Sequence, residues 1–265
     1  MTTNSVYMLA VVLNVVDRGG GPAVMLLHGA PSAISDFAGL VEALAVDHRV
    51  VVPELPGYGK SPMLDGEYTF ARVYTLLEDM LLSLGIREVA VVGFSLGAHH
   101  ALAVAGVWRR VRVTTVVSLA GFAMLEAADR DAILGFVGML SAPGAQLQTP
   151  EMREMVRGRF LAPAHQNDAN AAQVATWLDA TTASVLATEL AAEARADLRE
   201  QLQELTVPVL AYVGALDVAV PPAYSREIAD LAPLGRLEVA PGHGHALLLE
   251  QPAATIAAIR RAVAR

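Results

Sequence analysis

The chain has 265 residues, 54% of them hydrophobic and 17% charged, which excludes a disordered protein and leaves room for one large domain with an insertion. Nineteen Lys and Arg against 27 Asp and Glu give a net charge of -8, so the general electrostatic footprint of a nucleic-acid or anionic-membrane binder is absent. There is no cysteine, which excludes disulfides, thiolate catalysis and cysteine-based metal sites.

In chain order, Val6 to Val16 is apolar, but no basic residue precedes it and no clean cleavage site follows. It reads as a strand rather than a signal peptide, with Val6 to Asp17 forming an antiparallel hairpin at a sheet edge. β-Branched runs then predict strands at Val24 to Leu27, Arg49 to Val52, Val89 to Val92, Val113 to Leu119, Val207 to Val213 and Arg236 to Val239. Helices are predicted at Ser35 to Ala45, Phe70 to Leu84, Leu96 to Val107, Tyr224 to Leu231 and Pro252 to Ala264. This alternation is the order of a mostly parallel, doubly wound α/β sheet covered on both faces. Val89 to Trp108 lacks Asp, Glu, Lys and Arg over a membrane-spanning length, but its internal Gly-x-Ser-x-Gly turn splits it into a strand and a helix. Cytoplasmic residence is the default expectation by elimination.

One stretch breaks the alternation. From Phe122 to Leu205 no strand is predicted, only helix formers punctuated by Pro143, Gly144, Pro150 and Pro163. The expected organisation is a core domain of residues 1–121 and 206–265 with a helical cap inserted at 122–205. Phe122, Met124, Phe136, Met139, Met152, Met155, Phe160 and Trp177 give the insertion adaptable apolar surface, suited to its own core or to a pocket wall.

Gly93-Phe94-Ser95-Leu96-Gly97 joins the run Val89 to Val92 directly to a helical stretch, which places a serine on a tight strand-to-helix turn. The glycines allow a strained backbone, and the helix N-terminus behind Ser95 presents N–H groups and a positive dipole end toward developing negative charge. A serine hydroxyl is a weak nucleophile at neutral pH and needs a base to take its proton.

This turn resembles the nucleophile elbow of the α/β-hydrolase family, and other motifs in the family's order strengthen the resemblance. His28-Gly29-Ala30-Pro31 resembles its oxyanion loop. Leu55-Pro56-Gly57-Tyr58-Gly59-Lys60-Ser61 resembles the loop after the next strand, with Glu54 where Asp is more usual. Gly214-Ala215-Leu216-Asp217 with Val220-Pro221 resembles the acid turn, and Pro241-Gly242-His243-Gly244-His245 with Glu250 and Pro252 resembles the histidine loop. In the family the Glu-x-Pro signature begins five residues after the catalytic histidine, which selects His245 over His243. The resemblance implies an eight-stranded sheet, catalytic Ser95, Asp217 and His245, and an oxyanion hole built from the backbone N–H groups of Ala30 and Leu96. It also implies no cofactor and no metal ion.

The implied activity is serine-type hydrolysis of a small to medium, partly apolar carboxylic ester or lactone through an acyl-enzyme. Carbon-carbon bond hydrolysis and perhydrolysis on the same scaffold remain open, as does a low-turnover ligand receptor that keeps the fold. The serine at the elbow argues against the branches whose nucleophile is Asp. The expected partner is a small-molecule substrate, with neither nucleic acid nor membrane, and the oligomeric state is not legible. His28 is expected to organise its loop. The pairs His99-His100 and His243-His245 lack the carboxylate spacing of a metal motif, and Arg109, Arg110 and Arg112 read as a solvated helix cap.

Overall fold

The computed structural model describes residues 13–32 and 34–264. In chain order the first part contains β1 (Val15–Gly19), β2 (Ala23–Leu27), α1 (Ala38–Leu44), β3 (Arg49–Pro53), α2 (Phe70–Ser83), β4 (Glu88–Phe94), α3 (Leu96–Val107) and β5 (Arg112–Leu119). Five helices follow: α4 (Ala127–Leu140), α5 (Pro150–Phe160), α6 (Asp168–Asp179), α7 (Ala183–Glu193) and α8 (Arg199–Gln203). The chain closes with β6 (Val209–Gly214), α9 (Pro222–Leu231), β7 (Gly235–Ala240), α10 (Leu247–Glu250) and α11 (Pro252–Val263).

The strands form one sheet in the order β1-β3-β2-β4-β5-β6-β7, parallel except for β1, which runs antiparallel to β3 from Val15 opposite Pro53 to Gly19 opposite Arg49. Among the described residues the sheet therefore has seven strands rather than eight. The first half of the expected hairpin, Val6 to Val12, lies outside the described residues, and the part within them pairs with β3.

Side-chain alternation assigns the two faces. Val24 and Leu26 of β2 face a layer built from Phe37, Leu40 and Leu44 beside Ile259 and Ala262 of α11. Met25 and Leu27 face the opposite layer, with Leu77 and Leu81 of α2, Leu102 of α3 and Ile228 of α9. Burial on both sides is why these strands read as unbroken apolar runs.

Thr149, Asn167 and Thr182 start α5, α6 and α7 by accepting the backbone N–H of Met152, Asn170 and Val185. The inserted helices bury Leu140, Val156, Phe160, Trp177, Leu186 and Leu190 in an apolar cluster that also takes in Ala246 from the loop after β7. Polar ties fasten this layer to the rest. Trp177 Nε1 and Gln173 Nε2 donate to Asp36 Oδ1 at 2.5 and 2.9 Å, and Glu189 accepts from Tyr58 and Tyr68 hydroxyls at 2.6 and 2.7 Å. Among the described residues no helix is long and apolar enough to cross a membrane.

Candidate functional site

Ser95 sits between the end of β4 and the start of α3, at the carboxyl edge of the parallel strands where open α/β sheets place their ligands. Its backbone has φ 53°, a left-handed conformation costing about 1–3 kcal/mol for a residue with a side chain. The turn leaves no room on either side. A Cβ at Gly93 would lie 2.0 Å from the Gly97 carbonyl oxygen, and one at Gly97 would lie 2.1 Å from that of Leu27. Both glycines of the motif are thus demanded by backbone contact. Leu96 is the first residue of α3 and lacks an intrahelical acceptor for its N–H. Among the described residues, neither its N–H nor that of Ala30 is taken by any acceptor.

Asp217 and His245 come from the turns after β6 and β7 and meet in the interior. His245 Nδ1 donates to Asp217 Oδ2 at 2.8 Å, and both side chains are buried. The other carboxylate oxygen accepts the N–H groups of Ala219 and Val220 at 2.9 and 2.8 Å, so Asp217 is held on both sides. With its Nδ1 as donor to a carboxylate, the neutral imidazole presents a lone pair at Nε2. That atom is buried and, among the described residues, has no hydrogen-bond partner.

Glu250 anchors the histidine loop. Its carboxylate accepts the N–H of Gly244 at 2.7 Å and that of Ala162 at 3.1 Å, while the N–H of His245 donates to the Phe160 carbonyl at 2.9 Å. The rings of Phe94 and Phe160 flank the imidazole, with centroids 5.0 and 4.7 Å away. His243 points elsewhere: its Nδ1 meets the Pro241 carbonyl oxygen and its ring stacks on His165.

Ser95, His245, Ala30 and Pro31 line a single cavity of about 240 Å³. Its remaining wall comes mainly from the inserted helices. Ile133 and Phe136 of α4, Met152 and Met155 of α5, and Leu186 and Leu190 of α7 make it apolar. Of the side chains expected to serve core or pocket, Phe136, Met152, Met155 and Phe160 reach this wall, Trp177 is packed beside Phe160, and Met139 is exposed. The structure therefore gathers Ser95 and His245 on one cavity and joins His245 to Asp217. Among the described residues no hydrogen bond links Ser95 Oγ to His245 Nε2. Four polar side chains of this wall were missed from sequence: Asp129, Arg159, Glu193 and Tyr224.

His28 is fully buried, accepting the Leu55 N–H at Nε2 and meeting the Gly29 carbonyl oxygen through Nδ1. It splices the loops after β2 and β3, and burial keeps its pKa below the ordinary value. His99 and His100 are enclosed among Phe70, Tyr74 and Phe122, and neither lines the cavity. Burial lowers the His99 pKa to about 4. Among the described residues no group of three or more His, Asp or Glu is placed to hold a metal ion.

The sequence family described as the alpha/beta hydrolase fold matches residues 22–252. Two pimeloyl-[acyl-carrier protein] methyl ester esterases are similar over most of their length. That of Aeromonas hydrophila is 30% identical, covering 88% of this chain and 92% of its own. That of Xanthomonas oryzae is 31% identical, covering 93% and 96%. Among solved structures, a hydrolase from Pseudomonas aeruginosa superposes with a TM-score of 0.85 at 25% identity, covering 96% of this chain and 94% of that one. With the family match extending from the strand before His28 to the helix after Glu250, the chain belongs to the alpha/beta hydrolase family.

Proposed function

We propose that the protein is a serine hydrolase of small to medium, partly apolar carboxylic esters or lactones, with Ser95 as nucleophile, His245 as base and Asp217 as its orienting partner. The observation that carries this reading is the His245 imidazole. Its Nδ1 is fixed on a buried carboxylate, its Nε2 has no hydrogen-bond partner among the described residues, and the residue lines the same cavity as Ser95. Catalytic hydrogen bonds in enzymes without substrate are often loose and tighten when substrate arrives.

In the proposed mechanism Ser95 Oγ adds to the ester carbonyl carbon as its proton passes to His245 Nε2, and Asp217 stabilises the imidazolium. The developing oxyanion is received by the N–H groups of Ala30 and Leu96, worth about 3–4 kcal/mol per donor in measured oxyanion holes. The tetrahedral adduct collapses, and the alkoxide leaves with the proton from Nε2. Water then gives a proton to Nε2 and adds to the acyl carbon; Ser95 recovers a proton as the acid departs. The inserted helices act as a cap that shapes the acyl and alcohol pockets. The apolar wall and the ester-cleaving relatives both favour a substrate with hydrocarbon character.

A series of p-nitrophenyl esters graded in acyl length, with lactones alongside, tests the reading on wild type and Ser95→Ala. Turnover of short to medium acyl chains that vanishes to background in Ser95→Ala is expected, with a fluorophosphonate adduct on Ser95 in wild type. Full activity in Ser95→Ala would overturn it, and a folded wild type that neither turns over nor takes the adduct would favour a receptor.

A further inference from the structure

Besides Ser95 and His245, four polar side chains line the cavity, and three are already engaged. Asp129 on α4 accepts the Tyr224 hydroxyl at 2.5 Å, and that hydroxyl also accepts the Glu126 N–H. Arg159 on α5 donates to the Ala219 carbonyl at 3.3 Å. Glu193, the last residue of α7, is the exception. It is only 7% exposed, and among the described residues no donor or cation meets its carboxyl. Its carboxyl oxygens are not among the fully enclosed unpaired polar atoms, so the group opens onto the cavity, where a bound ligand can meet it.

We propose that Glu193 is a specificity-determining residue, whose carboxyl donates a hydrogen bond to an uncharged oxygen, such as a ketone or second ester carbonyl, carried by the substrate away from the scissile bond. This rests on the hydrolase reading of the same cavity. Leu186 and Leu190 on its own helix, with Ile133 and Phe136 opposite, supply the apolar contacts such a chain would make, and Glu193 supplies the polar stop. The donor role follows from its surroundings. Asp129 and Tyr224 line the same cavity, Arg159 and His245 complete its charged and titratable lining, and Glu189, held by Tyr58 and Tyr68, lies one turn back on α7. Burial and the neighbouring Glu189 push the Glu193 pKa up to about 8, so near neutral pH the group is an acid with a proton to give. A substrate carboxylate would have to enter beside Asp129 and would find no countercharge at Glu193.

Matched esters test this: p-nitrophenyl levulinate carries a ketone where p-nitrophenyl pentanoate has a methylene. Wild type is expected to favour the levulinate by about tenfold in kcat/KM near neutral pH, the scale of one made hydrogen bond. Glu193→Leu should reduce the ratio to near one, while Glu193→Gln, whose amide also donates, should keep it. Above pH 8 the ratio should fall in wild type and stay flat in Glu193→Gln. The same pair is compared by calorimetric binding to Ser95→Ala, which needs no turnover, so a failure of the hydrolase reading stays distinct from a failure of this one. Preference for the ketone that survives Glu193→Leu, equal binding of the two esters, or stronger selection of the ω-amino analogue or of mono-p-nitrophenyl glutarate would overturn the proposal.

Discussion

Asp217 holds His245 through one carboxylate oxygen at 2.8 Å while its other oxygen is occupied by two backbone N–H groups, so the imidazole tautomer is set by a group that is itself immobile. Asp217→Asn preserves shape but places an amide opposite Nδ1, favouring the tautomer whose proton sits on Nε2. The expected result is a kcat loss of about 10⁴-fold, the scale of the same change in a serine protease, with a far smaller effect on KM. His245→Ala should be as severe and His243→Ala mild, because His243 meets Pro241 and His165 instead. Steady-state kinetics of the three variants decides it; a severe His243→Ala beside a mild His245→Ala would reassign the base.

Glu250 closes the histidine loop against α5 by accepting the N–H groups of Gly244 and Ala162. Removing a buried acceptor strands both donors, so Glu250→Ala should cost about 2–4 kcal/mol in denaturant unfolding and lower kcat by displacing His245. Glu250→Gln keeps one acceptor oxygen and should recover part of both losses. Unchanged stability in Glu250→Ala would mean that the loop is held by its other contacts.

Acid should find His99. Enclosed against Phe122, it has a folded-state pKa of about 4 against 6.5 in an ordinary environment. Between those values the unfolded chain binds the extra proton, so the contribution of this residue is neutral above pH 6.5 and increasingly destabilising as pH falls toward 4. The full effect is about 3 kcal/mol, with His100 adding to it in the same direction. His99→Gln should flatten the fall in Tm over this range, and a slope identical to wild type would place the acid sensitivity elsewhere.

The parts of the molecule legible in sequence were those whose local pattern and final burial agree. Strands β2 to β6 are buried on both faces, so Val24 to Leu27 or Val89 to Val92 announce themselves without help from distant residues. Gly93 and Gly97 were legible because backbone contact forbids any larger residue. The cavity wall was legible only in part: Phe136, Met152, Met155 and Phe160 stood out as adaptable apolar side chains, but not which of the set would face a pocket, because α4 to α7 take their apolar partners from one another and from loops far along the chain. Glu193 illustrates this: among Ala and Glu it reads as part of a solvated face. The available signal was its spacing from Leu186 and Leu190, which puts the acid on the buried stripe. The arginines after α3 were half legible. Arg109 does cap the Gly106 and Trp108 carbonyls, but Arg110 turns to Glu78 and Asp79 on α2, a tertiary contact no local rule contains.

Glu193 also makes a stability prediction independent of any substrate. Its folded-state pKa of about 8 lies above the ordinary 4.5, so the folded chain holds the proton through a range in which the unfolded chain has lost it. The stability this supplies is complete below pH 4.5 and is lost as pH rises through 8. Glu193→Gln keeps size and polarity but cannot ionise. Its Tm relative to wild type should therefore climb between pH 5 and pH 9, as its relative stability rises to a gain of about 2–4 kcal/mol at the alkaline end. Tyr58→Phe, which removes one of the two hydroxyls holding Glu189, should destabilise by about 1–2 kcal/mol and give the opposite slope, because losing that donor pushes the Glu189 carboxyl further up. Parallel Tm curves for Glu193→Gln and wild type would mean that water reaches the Glu193 carboxyl and keeps it ionised at neutral pH.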